Sequence, residues 1–385
     1  MIAMNNAGGL ILSFCKPDVG ILCLLCCLAF SAQACKKGES QIPDWVVYPE
    51  KEWVKIRPEQ AGFHEANFNK ILSNAQARGA KFGGEVHDNN KWGAVLTRGG
   101  YLVHTWGDPD YKFQSASLGK AFTRAVLGLA IDEGLVKPDD FINKTWTGKG
   151  QLSHPHKYLN EGFHKYLTWR HLLMHRGGFP VTNGYYWRKG MHAKISPFPK
   201  WAKPTGDPFY DNYAHIRPGT RKSYSSGGYW RFAQALTALW NNDIKKVLDE
   251  KLFGHMGIPA DRWDWTPGKI VHDTKDWYPN MPGYGDFIDP PYEINGHVVR
   301  GGPGWVVMSP KDLARFGLLI ATGGIWKGKR LISADWIRGH SGGNGSKVDG
   351  DRNIYISFAK VTAEGVPYKP FKKVIVAPVV VPARP

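Results

Sequence analysis

FQSASLGKAFTRAVLGLAIDEGLV, residues 113–136, holds Ser117 and, three positions on, Lys120, ahead of a long apolar run. Leu118, Phe122, Val126 and Leu129 recur at helical intervals, and Ala125, Leu127 and Ile131 leave little polar surface before Gly134 ends the run. A helix that is apolar nearly all round is a buried one. Its first turn therefore carries a serine and a lysine at the edge of a core. Residues three apart on a helix share a face, so the two side chains meet. A lysine amine is normally protonated and is no base, but desolvation and a cationic neighbour lower its pKa. A neutral Lys120 takes the proton of Ser117 as the serine attacks a carbonyl, and the helix N-terminus adds positive potential where an oxyanion forms. The plain alternative is a capping serine beside a surface lysine, and the motif alone does not separate the two. Ser-x-x-Lys also occurs at Ser13–Lys16 and Ser357–Lys360. The first lies in an apolar leader, and the second in an alternating strand where positions three apart face opposite ways.

Around this segment the chain has 385 residues, enough for one large domain or two ordinary ones with a sizeable core. Its 42% hydrophobic and 22% charged residues are a globular balance, not a disordered one. The net charge of +17 suits nucleic acid, an anionic envelope or anionic substrates. With no zinc-finger spacing, no ribonucleoprotein motif and no basic block, no nucleic-acid partner is expected. All five cysteines, Cys15, Cys23, Cys26, Cys27 and Cys35, fall in the first 35 residues, which excludes a disulfide framework in the body. They sit in VGILCLLCCLAFSAQAC. Val19–Ala32 suits a signal-peptide core and is too short to span a membrane comfortably. Ala32-Gln33-Ala34 is a small-x-small cleavage site, and Cys35 follows where a bacterial lipoprotein carries its lipidated cysteine. The expectation is a signal peptide over 1–34 and an exported protein, periplasmic or attached to the membrane through Cys35. A plain cleaved leader is the alternative.

Residues 35–57, with Pro43 and Pro49, read as a tether. The stretch 58–79 suits a helix with Phe63, Phe68, Ile71 and Leu72 on one side. WGAVLTRGGYLVHTWGD, residues 92–108, reads as two strands around Arg98-Gly99-Gly100. From 135 to 291 short helical stretches alternate with Gly/Pro loops. SPKDLARFGLLIATGG, from Ser309, is a helix with a serine cap and a glycine stop, and SADWIRG starts another. NIYISFAKV and KKVIVAPVVV read as strands. The expected fold is α/β (α+β): a mainly antiparallel sheet over about 58–134 and 292–385, covered by the Ser117 and Ser309 helices, with a mostly helical insertion over about 135–291.

A second segment, RPGTRKSYSSGGYWRFAQAL from Arg217, has a Pro-Gly turn, then Tyr224-Ser225-Ser226, then a helix. Here the chain resembles the serine β-lactamase and penicillin-binding protein family, especially class C β-lactamases and the related carboxylesterases. These carry Ser-x-x-Lys at a helix start and Tyr-x-Asn or Tyr-x-Ser roughly a hundred residues on. Tyr224 lies 107 residues after Ser117. LTWRHLLMHRGGFP from Leu167 and GGPGWVVMSPKDLARFGLLI from Gly301 also look like the family, so the resemblance spans about 58–340. It implies a β-lactamase/transpeptidase-like fold with Ser117 as nucleophile and Lys120 as its base. It implies Tyr224 as proton relay to the leaving group and activator of the deacylating water. Ser226 stands where the family often has Asn, as a polar partner of Lys120. The family's third element is Lys-Thr-Gly or His-Thr-Gly on a strand, and the similar stretch here is His340-Ser341-Gly342. There the resemblance implies a strand beside Ser117, with His340 facing a substrate carboxylate. The chain departs from the pattern in placing this stretch just after a helix, in a glycine cluster.

Gly339-His340-Ser341-Gly342-Gly343 also matches the Gly-x-Ser-x-Gly elbow, but no histidine follows Ser341 to close that triad. His171 and His175 are four apart with no glutamate in the metalloprotease slot, and His154-Pro-His156 lacks the aspartate of a dinuclear zinc pattern. No cofactor and no metal are called for. The expected partner is a small molecule: a β-lactam, a small ester, or a D-amino-acid amide such as a cell-wall peptide. The rival from another class is a non-catalytic module that grips cell-wall fragments through Tyr185, Tyr186 and Trp187. Oligomeric state is not legible in the residues.

Overall fold

The computed structural model describes residues 42, 44–63, 65–66, 68–70, 72–73, 93–114, 116–145, 161–181, 212–273, 290–340, 346–348 and 354–356. Met1–Asp44 form one unit, and Trp45–Pro385 form a second, compact one that holds the helices and strands of the fold.

Strands β1 (Gly93–Arg98) and β2 (Tyr101–Gly107) form the expected antiparallel hairpin. β3 (Phe113–Gln114) leads towards a 3₁₀ turn, Ala116–Gly119, and then into α1 (Lys120–Asp132). In the helical region come α2 (Trp169–Leu173), α3 (Ser226–Trp240) and α4 (Ile244–Leu248). After β4 (Asp264–Trp265) and β5 (Val306–Met308) come α5 (Pro310–Ala321) and α6 (Ala334–His340), then the hairpin β6 (Ser346–Val348) and β7 (Ile354–Ile356).

The helix ends reflect local chemistry. α1 stops where Gly134 turns to φ 72°, its N–H reaching Ile131 O and that of Leu135 reaching Ala130 O, the paired bonds of a Schellman cap. Ser225 caps α3 by accepting from the Gly228 N–H at 3.1 Å. Ser309 caps α5 by accepting from the Asp312 N–H at 3.2 Å, with Pro310 in the first turn.

α1 packs on α3 and α4, while α5 lies against β1, β6 and β7. The Ser309 helix is therefore the cover for both hairpins, and the Ser117 helix runs through the centre of the core. The two meet through aromatic rings: Phe122 stacks on Phe316 at 5.0 Å and meets Phe253 at 5.5 Å, with Trp263 behind. Among the described residues no ladder joins β1–β2 to β6–β7. A separate three-stranded antiparallel sheet, in the order β3-β5-β4, holds the centre: Phe113 pairs with Met308 and Trp265 with Val306. The strand ahead of Ser117 is thus tied to chain nearly two hundred residues later, and that tie places the site.

The tether expectation needs correcting for its second half. Residues 45–57 run along the body. Lys55 bridges Leu102, the Leu102 N–H donates to Val54 O at 2.9 Å, and the Ile56 N–H donates to Leu102 O at 3.1 Å. Trp53 is buried against Leu102 and Ala314. Proline content suggests an extended segment but not what the extended backbone pairs with. The leader, Cys35 and Tyr185–Trp187 lie outside the described residues. Among the described residues no helix is long and apolar enough to cross a membrane, and no group of three His, Cys, Asp or Glu could hold a metal.

Candidate active site

The 3₁₀ turn carrying Ser117 enters α1 through Gly119, and a Cβ there would sit 2.8 Å from the Gly304 backbone. This close approach brings the loop 301–304 against the first turn of α1. Two side chains of the helix clasp it: Thr123 Oγ1 donates to Gly302 O at 2.7 Å, and Lys120 Nζ donates to Pro303 O at 2.6 Å. Lys120 Nζ lies 3.2 Å from Ser117 Oγ. The lysine is 0% exposed, whereas Ser117 is partly open to solvent. The pair places a buried amine within reach of an accessible hydroxyl.

Burial, and secondarily the Arg124 charge, lower the Lys120 amine to about 7. Around neutral pH a substantial share of it is therefore free amine. The face of Tyr224 lies 4.9 Å from Lys120 Nζ and that of Tyr229 5.5 Å.

Tyr224 is held by its neighbours. The Ser223 N–H donates to His175 O at 2.8 Å, and the Ser225 N–H donates to His175 Nδ1 at 3.2 Å. One histidine thus grips the chain on both sides of Tyr224, and its ring packs on Tyr224 at 4.5 Å and on Tyr229 at 4.6 Å. Burial, then the charges of Lys120, Arg124 and Lys222, push His175 well below the usual imidazole range, so the ring stays neutral. His171 is spent on structure too: its Nδ1 accepts from the Thr168 N–H at 3.2 Å in a capping box opening α2.

Ser117, Lys120 and Tyr224 are therefore brought together. Ser226 begins α3 and provides none of the hydrogen bonds of Lys120. The polar partner expected in Ser226 is the Pro303 carbonyl instead: the 301–304 loop lies against the lysine, while Ser226 takes the first position of α3 behind its Ser225 cap. His340 is the last residue of α6, a helix begun by Ser333, whose Oγ accepts from the Trp336 N–H at 3.2 Å. The backbone at 340 is helical where the family pattern has a strand; Ser341 and Gly342 lie outside the described residues.

Sequence reasoning missed Arg124, His175 and Pro303. Arg124 carried a signal: it is the one charged residue in the run 121–131, four after Lys120. The carbonyl of Pro303 carried none.

A serine on the 3₁₀ turn that enters a central helix, a buried lysine at the start of that helix and a tyrosine facing the lysine, with antiparallel strands and helical cover, fit the β-lactamase/transpeptidase-like fold. The chain belongs to the Beta-lactamase family, which matches residues 88–353. Three solved structures illustrate the likeness. An octameric penicillin-binding protein homologue from Pyrococcus abyssi is 16% identical over 71% of this chain and 59% of its own, TM-score 0.43. A penicillin-binding protein from Bacillus halodurans is 16% identical over 60% and 63%, TM-score 0.36. A β-lactamase/D-alanine carboxypeptidase from Yersinia pestis, complexed with citrate, is 16% identical over 66% and 68%, TM-score 0.38. The chain thus spans 59% of the first of these and 63% of the second. No curated protein matches it.

Proposed function

We propose that this protein is an exported serine hydrolase that works through a Ser117 acyl-enzyme. The observation that carries the reading is the fully buried Lys120 amine 3.2 Å from Ser117 Oγ. In the proposed reaction Ser117 Oγ bonds to the substrate carbonyl carbon as its proton passes to Lys120 Nζ. The oxyanion forms at the N-terminal end of α1. The C–N or C–O bond then breaks, and Tyr224 relays a proton to the departing amine or alkoxide. Water, activated at the same tyrosine, hydrolyses the ester and restores Ser117. The substrate class is a β-lactam, a small ester or a D-amino-acid amide, which share this attack and relay. The apolar Val19–Ala32 and the Ala32-Gln33-Ala34-Cys35 sequence support export, with Cys35 as a point of membrane attachment.

The test has two parts. A fluorophosphonate or fluorescent penicillin should label the wild type covalently and leave Ser117→Ala unlabelled. Nitrocefin, a p-nitrophenyl ester and a D-Ala-D-Ala peptide assayed in parallel then rank the substrate classes. Absence of wild-type labelling by either probe sinks the reading and leaves a binding protein.

A further inference from the structure

The apolar helix α1 carries a second cation that the proposed reaction does not use. Arg124 lies four residues after Lys120, a spacing that puts two side chains on one face about 5–6 Å apart at Cβ. Its guanidinium is fixed by two other helices. Nε donates to the Tyr229 hydroxyl of α3 at 2.7 Å, and Nη2 donates to Leu173 O at the end of α2 at 3.1 Å. Tyr229 closes the triangle by donating to Leu173 O at 3.1 Å. The same buried tyrosine lies 5.5 Å from Lys120 Nζ through its ring face. One phenol therefore has the lysine over its face and the arginine at its rim.

We propose that Arg124 is a positioning residue for the base: its guanidinium, held at the rim of Tyr229 by the phenol oxygen and the Leu173 carbonyl, tunes Lys120, which sits over the face of the same ring, for taking the Ser117 proton. The proposal rests on the reading of Lys120 as the base for Ser117. Arginine does not give up its proton in proteins, so its charge is a constant of the site. A second positive charge one helical turn from the buried Lys120 amine, on a half-buried side chain, disfavours protonation of that amine. Among the described residues, His175, from the loop after α2, is neutral, and the exposed Lys222, ahead of α3, bears on His175 with charge of the same sign. Tyr224 and Tyr229 face Lys120 with their rings, and the 301–304 loop meets it with a backbone carbonyl. Burial and the Arg124 charge act on Lys120 in the same direction. The Tyr229 contact makes the arrangement specific: the hydroxyl and the Leu173 carbonyl hold the half-buried guanidinium in one place.

The test is the pH dependence of covalent labelling of the full chain by a fluorophosphonate. In that step the Ser117 Oγ–P bond forms, the P–F bond breaks, fluoride leaves and the hydroxyl proton passes to Lys120. The wild-type rate should rise with pH through a midpoint of about 7. In Arg124→Met and Arg124→Gln the midpoint should move to higher pH. Labelling at neutral pH should be slower by roughly three- to tenfold and should recover at high pH, where Lys120 is deprotonated anyway. Gln keeps a donor for Tyr229 or Leu173 and stands in if the Met variant fails to fold. A variant that labels more slowly at every pH with an unmoved midpoint makes Arg124 merely structural and overturns the inference, leaving Ser117 as nucleophile. A wild type that never labels at Ser117 overturns the underlying reading instead.

Discussion

Lys120 and His175 sit in the same buried polar cluster, and burial moves both towards neutrality, but only one of them titrates where the reaction needs it. A fully buried charge is costly unless paired, and a lysine can escape that cost by shedding its proton. With Lys120 near 7, the free-amine form grows as pH rises through neutrality, so the proposed reaction should show an acid limb near 7 set by the lysine. His175, held well below 6.5, does not change charge in that window. A His175→Asn variant separates the two. Asn tolerates the positive φ of 55° found there but is too short to pack on both tyrosines. It should lose roughly 1–3 kcal/mol of stability, as two aromatic contacts are worth, and should label more slowly because Tyr224 loses its ring contact and the imidazole acceptor on one flank. Its acid limb should stay where the wild type has it; a limb that moves would reassign the titration to the histidine.

Two glycines bracket α1 and serve different ends. Gly119 has helical backbone angles and is small because the 301–304 loop touches it. Gly134 has φ 72° and open space where a Cβ would go. Gly119→Ala must push backbone against backbone, at about 1–3 kcal/mol for overpacking. It should also draw Lys120 off Pro303 O, and displacement of this order slows a reaction by up to about a hundredfold. Gly134→Ala strains only the cap and should cost about 1 kcal/mol. Urea melts and Ser117 labelling rates on the pair check this. Both variants should be destabilised, and only Gly119→Ala should be slow. Equal labelling would mean that the loop contact does not position the base.

The molecule is held together over long sequence distances by a few buried polar side chains, Arg315 foremost. From α5 its guanidinium donates to Pro49 O at 2.9 Å, Glu50 O at 2.5 Å, Lys51 O at 3.3 Å and Met256 O at 2.8 Å. Its neighbour Asp312 is ion-paired with Arg262. One arginine therefore binds the segment 45–57 and the helical region to the helix that covers both hairpins. Arg315→Met leaves four carbonyls without that donor and should destabilise the protein by about 3 kcal/mol or more. Hydrogen exchange should show the amides of Val47, Ile56 and Leu102 losing protection before the amides of α3 do. Uniform loss across the chain would mean that 45–57 is not a separately held element.

What could be read along the chain was what local chemistry decides. The apolar period of α1, the turn between β1 and β2, the serine caps and the Ser-x-x-Lys spacing are set by neighbours within one or two helical turns. The meeting of Ser117 with Lys120 is of this kind, since a helix brings positions three apart together whatever surrounds it. The rest of the site comes from far away in sequence: a carbonyl at Pro303, a histidine that grips both flanks of Tyr224, and an arginine whose anchors are Leu173 and Tyr229. Backbone carbonyls have no residue-type signature, and a tether and an extended segment beside β2 look alike until their partners are known. The composition of α1 says that Lys120 is near a core. That the core closes over the amine completely, and so lowers its hold on a proton, depends on how the 301–304 loop, α2 and α3 fold against it.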